Sequence, residues 1–323
     1  MRIALVGDVM LGRLVDERLR HEGPAHPWGD VLPLLAQADL RFANLECVLA
    51  DDGPPWPGKR FHFRSDRKNV ASLEAAGVDV VSLANNHVLD HGVEAMREML
   101  PLLDEHGILH TGAGPDAEAA RRPAVCTRAG TAVGFLAFTD NEPGWAAGPA
   151  SPGVHHVPVD LADDRARDLL QLVRRTRERT GFLVVSAHWG SNWGAQVPPE
   201  HRAFAHALVE AGADVVFGHS PHVFRGVEVH RGRPVVYGAG DFVDDYAVRP
   251  DERNDQSFVF LLDVRDGLPR RLRLHPTVIE DLRARTATAE ARGIARRMER
   301  LSAALGTRCT WRDDEQCLDV PLD

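Results

Sequence analysis

The chain has 323 residues, 44% of them hydrophobic, and a formal net charge of -9 at pH 7. That length supports one large domain or two small ones around a substantial core. Acids and bases are mixed with no basic stripe, which argues against nucleic acid and anionic membrane surfaces as main partners and leaves a small-molecule or short polyanionic substrate. No apolar run approaches a membrane span, and the first residues enter a strand pattern with no secretory leader. The expectation is therefore a soluble, cytoplasmic protein without a membrane anchor. Cys47, Cys126, Cys309 and Cys317 form no C-x-x-C pair and no disulfide framework; at most Cys309 and Cys317 bridge in an oxidising setting. No feature sets the oligomeric state.

In chain order, the periodicity predicts strands at 2–6, 39–43 and 78–84, with helices at 13–21, 29–36, 67–76 and 93–106. Strands at 123–127 and 132–138 follow, then a helix at 160–179, a strand at 182–187, a helix at 200–211 and a strand at 213–217. This alternation argues for an α/β layered fold. After residue 224, four runs (Arg225 to His230, Pro234 to Tyr237, Ser257 to Val264, Arg271 to Ile279) read as successive strands of an antiparallel sheet that closes the domain. Residues 284–305 read as a surface helix, and the tail beyond carries little signal. We expect one domain, 1–283, with 284–323 as a helix and tail packed on it. Two segments, Asp51 to Lys59 and Thr139 to Pro158, are too long and aperiodic for simple connectors and are expected to rim a site.

Five apolar runs end in polar clusters: GDVM (Gly7 to Met10), NLE (Asn44 to Glu46), NNH (Asn85 to His87), HWG (His188 to Gly190) and GHSPH (Gly218 to His222). In an open α/β sheet the carboxyl ends of the strands share one edge, where ligands bind. The clusters therefore bring Asp8, Glu46, Asn86, His87, His188, His219 and His222 to one crevice. Each has an ordinary structural reading as a cap, turn or hydrogen-bonded residue; their joint recurrence at strand ends points to metal. Carboxylates, an amide oxygen and imidazoles suit Mn, Fe, Zn or Mg better than a thiolate site does, and six ligands are enough for two ions sharing a carboxylate.

These motifs, with FHFRSD (Phe61 to Asp66), VDVVSLANNHVLDHG (Val78 to Gly92) and PVVYGAGDF (Pro234 to Phe242), resemble the capsule synthesis protein A family, or poly-gamma-glutamate synthesis proteins, within the calcineurin-like metallophosphoesterase superfamily. The resemblance implies a four-layer αββα fold with a dinuclear metal centre. It assigns Asp8 and His222 to the first ion, Glu46 to a bridge between both, and Asn86, His188 and His219 to the second. His87 would be the catalytic acid or hydrogen-bond donor at the leaving group. A bridging water, its pKa lowered to about 7 by the ions, would attack in line. Arg64 of FHFRSD matches a position near the site, where its planar fork suits a substrate phosphate or carboxylate; a surface ion pair is the alternative. Trp56, Trp189 and Trp193 either wall the site or are buried packing.

The chain departs from the superfamily in two ways. Met10 replaces the histidine of D-x-H, and the final motif separates its histidines by two residues instead of one. Asp241 stands where the family commonly has Asn, and either supplies a substitute ligand or shapes a turn. The leading expectation is a metal-dependent hydrolase of a phosphate ester or amide-like bond. The alternative is a non-catalytic accessory protein in poly-gamma-glutamate or capsule polymer synthesis. A serine hydrolase built on Gly218 to His222 is disfavoured because a strand, not a helix, is expected to follow.

Overall fold

In the computed structural model, which describes residues 1–322, two sheets lie face to face between two layers of helices. The ten-stranded sheet has a parallel run of Arg2–Val9, Leu40–Leu45, Val80–Ser82 and Leu109–Thr111. It continues from Arg2–Val9 through antiparallel Gln256–Arg265 and Leu268–Glu280. The six-stranded sheet has Thr131–Thr139, Phe182–His188, Val215–His219 and Arg233–Val236 in parallel, edged by antiparallel Ala124–Arg128 and Val227–His230.

Side-chain alternation along the strands builds three cores. Ile3, Leu5 and Phe42 from one sheet meet Phe135, Val184 and Phe217 from the other. Phe42 stacks on Phe135 at 5.4 Å and meets the edge of Phe217 at 6.0 Å. Ala4, Val6 and Ala43 face outward, against Val15, Leu73, Met96 and Leu103 of the helices Leu14–Leu19, Val70–Ala75 and Gly92–Glu105. On the other side Val185 and Val216 pack against Leu169, Val173, Phe204 and Leu208 of the helices Asp164–Arg177 and Pro199–Ala211. Period-2 strands with apolar residues on both faces demand this arrangement, because each sheet needs cover on both sides. The expected four-layer αββα order is what the chain adopts.

Three expectations change. The runs after residue 224 do not form one closing sheet. Val227–His230 and Arg233–Val236 finish the six-stranded sheet, whereas Gln256–Arg265 and Leu268–Glu280 extend the ten-stranded one. Hairpin neighbours are visible in sequence, but sheet membership depends on which buried face each hairpin covers. The helix expected over 284–305 begins at Ala291, because Arg283–Thr286 pairs with Leu268–Glu280. The uninformative tail forms a hairpin of Thr310–Arg312 and Cys317–Pro321 that adds two strands to the ten-stranded sheet. Among the described residues all cysteines are free thiols, and no helix is long and apolar enough to cross a membrane.

Candidate metal centre

The site lies between the two sheets at the carboxyl ends of their parallel strands, and strand register assembles most of it. Phe42 faces the inter-sheet core, so Asn44 and Glu46, two and four residues on, continue along that face. Asp8 has the wrong parity, since Ala4 and Val6 face the outer helices. The register between Arg2–Val9 and Leu40–Leu45 slips between Val6 and Asp8, which places Asp8 opposite Asn44 and turns its carboxylate inward. Gly7 occupies the slip, where a Cβ would sit 2.0 Å from the Gly240 carbonyl oxygen. On the facing sheet His188 and His219 are register partners that continue the inward rows of Val184 and Phe217.

Asp8, Glu46, His188 and His219 are buried, and His222 is nearly so. One amide organises the acids: Asn44 Nδ2 donates to Asp8 Oδ1 at 2.8 Å and to Glu46 Oε2 at 2.9 Å. Asn44 Oδ1 accepts from Asn85 Nδ2 at 3.1 Å. The Nδ1 atoms of His188 and His219 face each other at 2.9 Å, with Asp8 Oδ1 3.6 Å from His219 Nδ1 and Glu46 Oε2 3.8 Å from His188 Nδ1. His222 Nδ1 lies 2.9 Å from Asp241 Oδ1. Donor atoms of Asp8, His188 and His219 lie within 4.8 Å of one another, as do those of Asp8, His222 and Asp241. Asp8 is common to both groups.

Burial drives every charge in this cluster toward neutrality. It lifts Asp8 to about 6, raises Glu46 and Asp241 well above the carboxylate range with help from neighbouring acids, and lowers His188, His219 and His222. The Asp241 and Asp244 carboxyls are in contact, and among the described residues Oδ2 of each is buried without a hydrogen-bond donor. Such a buried set of carboxyl oxygens and imidazoles fits divalent cations, whose positive charge would favour the ionised carboxylates and which would accept the imidazole lone pairs.

Placement of the other candidates varies. His87 Nδ1 sits 2.5 Å from Asp90 Oδ2, and its Nε2 faces Glu46 Oε1 at 3.8 Å. Asp90 is fixed by the Phe63 amide at 2.7 Å and by Lys59 Nζ at 2.6 Å. Burial lowers the His87 imidazole to about 4 despite Asp90. Asn86 Oδ1 meets His188 Nε2 at 3.1 Å, on the opposite side of that ring from the acids. The Arg64 guanidinium donates to the carbonyls of Ala50, at 3.0 Å, and Asp51, at 2.5 Å, and so ties down the segment after Glu46. Met10 is buried in the outer core.

Both aperiodic segments reach this region. Trp56 and Trp145 pack edge to face at 5.3 Å, and Lys59 lies over Trp145 at 4.6 Å while also donating to the Asn86 carbonyl. Trp193 packs beside His222 at 5.2 Å, whereas Trp189 is core packing with its Nε1 on the Tyr237 carbonyl. Sequence reasoning missed Asn44, Asp90 and Lys59. The first two stand inside quoted motifs, two residues before Glu46 and three after His87, and that adjacency was the available signal.

A sequence profile described as "Bacterial capsule synthesis protein PGA_cap" matches residues 2–246. A Mycobacterium tuberculosis protein named "Probable polyglutamine synthesis accessory protein" is 33% identical over 363 residues, covering 99% of this chain and 96% of its own. The Bacillus anthracis "Capsule biosynthesis protein CapA" is 29% identical over 76% of this chain and 60% of its own length. Among solved structures, a hypothetical protein from Thermus thermophilus superimposes with a TM-score of 0.55 at 19% identity, over 85% of this chain and 98% of that one, a likeness of fold. On the extent of the profile match and the near full-length relative, the chain belongs to the bacterial capsule synthesis protein PGA_cap family.

Proposed function

We propose that this protein is a metal-dependent hydrolase of a phosphate ester or amide-like bond in a small molecule or short polyanion. The observation that carries the reading is the pair of buried donor groups sharing Asp8. Asp8, His188 and His219, with Glu46 beside them, would hold one ion; Asp8, His222 and Asp241 would hold a second. Bound there, divalent ions would polarise the scissile group and make water a nucleophile near neutral pH. Asn44 keeps the Asp8 and Glu46 oxygens oriented before any cation arrives. Asp90 holds the Nδ1 proton of His87, so Nε2 is the atom that exchanges a proton with the reacting group. Burial holds that imidazole low, at about 4, so His87 would first accept the proton released by the attacking water and then donate it to the leaving group.

The name of the Mycobacterium tuberculosis relative, a polyglutamine synthesis accessory protein, favours a second reading, an accessory role in polymer synthesis. Elemental mass spectrometry on untagged protein, wild type and Glu46→Gln, separates the two when combined with a screen of phosphate esters and gamma-glutamyl amides. About two metals per chain, a sharp fall in the variant and EDTA-sensitive turnover support the hydrolase. Protein that stays metal-free after reconstitution with Mn and Fe refutes it and leaves the accessory role.

A further inference from the structure

Arg13 follows the first motif, and four features of its surroundings converge. Its backbone sits at φ 56 and ψ -123, a strained conformation for an L residue that concentrates at functional sites. The guanidinium carbon lies 5.6 Å from the ring centre of Phe61, 5.1 Å from Phe63 and 5.9 Å from Tyr246. Nε reaches Asp245 at 3.2 Å, which occupies one side of the fork. Nη1 is buried with no hydrogen-bond partner among the described residues. A guanidinium has no lone pair and never loses its charge, so an unpaired N–H in this cage is suited to donate to an oxygen anion.

The cage adjoins the donor cluster. The Phe63 ring is 4.7 Å from His87, and the Tyr246 ring is 4.8 Å from His222. Two walls around Arg13 are therefore also walls of the candidate metal centre. Arg64, the cation first expected to meet substrate, is engaged by the Ala50 and Asp51 carbonyls.

We propose that Arg13 forms an oxyanion subsite beside the metal centre, in which its free Nη1 receives a phosphate or carboxylate oxygen of the substrate. The assignment rests on the hydrolase reading and narrows its substrate to an anionic one. Phe61, Phe63 and Tyr246 cover the guanidinium and Asp245 neutralises one side, which leaves a directional donor in a sheltered place. Such a donor selects for an oxyanion at a set distance from the reacting group, and binding energy gained there can orient the scissile bond.

The test is calorimetric titration of inorganic phosphate and, separately, glutarate into Mn-loaded and metal-free protein, with metal content measured for each sample. The variants are Arg13→Lys, Arg13→Gln and the double variant Arg13→Gln with Asp245→Asn, which leaves no unpaired acid and so guards against misfolding. At least tenfold weaker anion binding in the glutamine variants, partial recovery in Arg13→Lys and unchanged manganese content support the subsite. Loss confined to phosphate identifies a phosphate ester, and loss confined to glutarate a carboxylate. Affinities for both anions equal to wild type in a folded variant overturn the proposal. A wild type that takes up neither manganese nor iron sinks the hydrolase reading by itself, while the metal-free titrations still judge Arg13.

Discussion

Replacing Asp241 with Asn keeps the shape of the side chain and removes one charge, and the expected effects on stability and on metal binding have opposite signs. Asp241 is fully buried, its carboxyl pushed up by burial and by Asp8, and its Oδ2 lacks a donor. In the metal-free protein an Asn Oδ1 still accepts from His222, and the new amide donates to Asp244. Removing a carboxyl whose ionisation burial and Asp8 oppose, and giving the Asp244 carboxyl a donor, should stabilise the metal-free fold by about 1–3 kcal/mol. With divalent ions present the same change deletes an anionic ligand, and Mn2+ binding should weaken at least tenfold, or about 1.4 kcal/mol. The stabilisation gained from excess metal shrinks accordingly. Urea denaturation in EDTA and in excess MnCl2, beside calorimetric titration of Mn2+, reads both effects. A variant less stable than wild type in EDTA, or one that binds Mn2+ as tightly as wild type, would refute the reasoning and make Asp241 a structural partner of His222.

Three further outcomes follow from other parts of the fold. His201 is buried against Trp189, its Nδ1 has no partner among the described residues, and burial and then Arg225 push its imidazole down to about 4. A histidine held below its unfolded value of about 6.5 contributes stability above that pH and loses it as pH falls toward 4, here on the order of 3 kcal/mol. His201→Phe should flatten that part of the acid slope in urea midpoints taken at about pH 7 and about pH 4.5; an unchanged slope contradicts the assignment. Ser220 holds φ 96 inside Gly218 to His222, and its hydroxyl is buried without a partner among the described residues. Ser220→Gly should therefore raise metal-free stability by about 1 kcal/mol, seen as a higher Tm in EDTA, and a lower Tm counts against strain at this position. Phe42→Ala empties the stack between the sheets and should cost about 3–5 kcal/mol in urea unfolding; a loss under about 1 kcal/mol means the inter-sheet core does not depend on it.

Strands were legible because a strand buried on both faces is an apolar run, and its end, where the chain leaves the core, is a polar break. That signal alone locates Asp8, Glu46, Asn86, His87, His188, His219 and His222, and it yields the layered α/β class. Pairing decided the rest. The parallel match of Asp241–Val243 to Arg2–Val9 puts Asp241 opposite Asp8, although the two lie far apart in the chain. The slip at Gly7 turns Asp8 inward against its own periodicity. Lys59 reaches Asp90 and Arg13 reaches Asp245 only because separate loops fold over the same strand ends. Local periodicity reports which residues an element buries, whereas register and packing choose the partners across the sheet. The chain text therefore named most donors and left Asp241 open between ligand and turn; tertiary structure put Asp241 opposite Asp8 and alone selected Asn44, Asp90 and Arg13 as their neighbours.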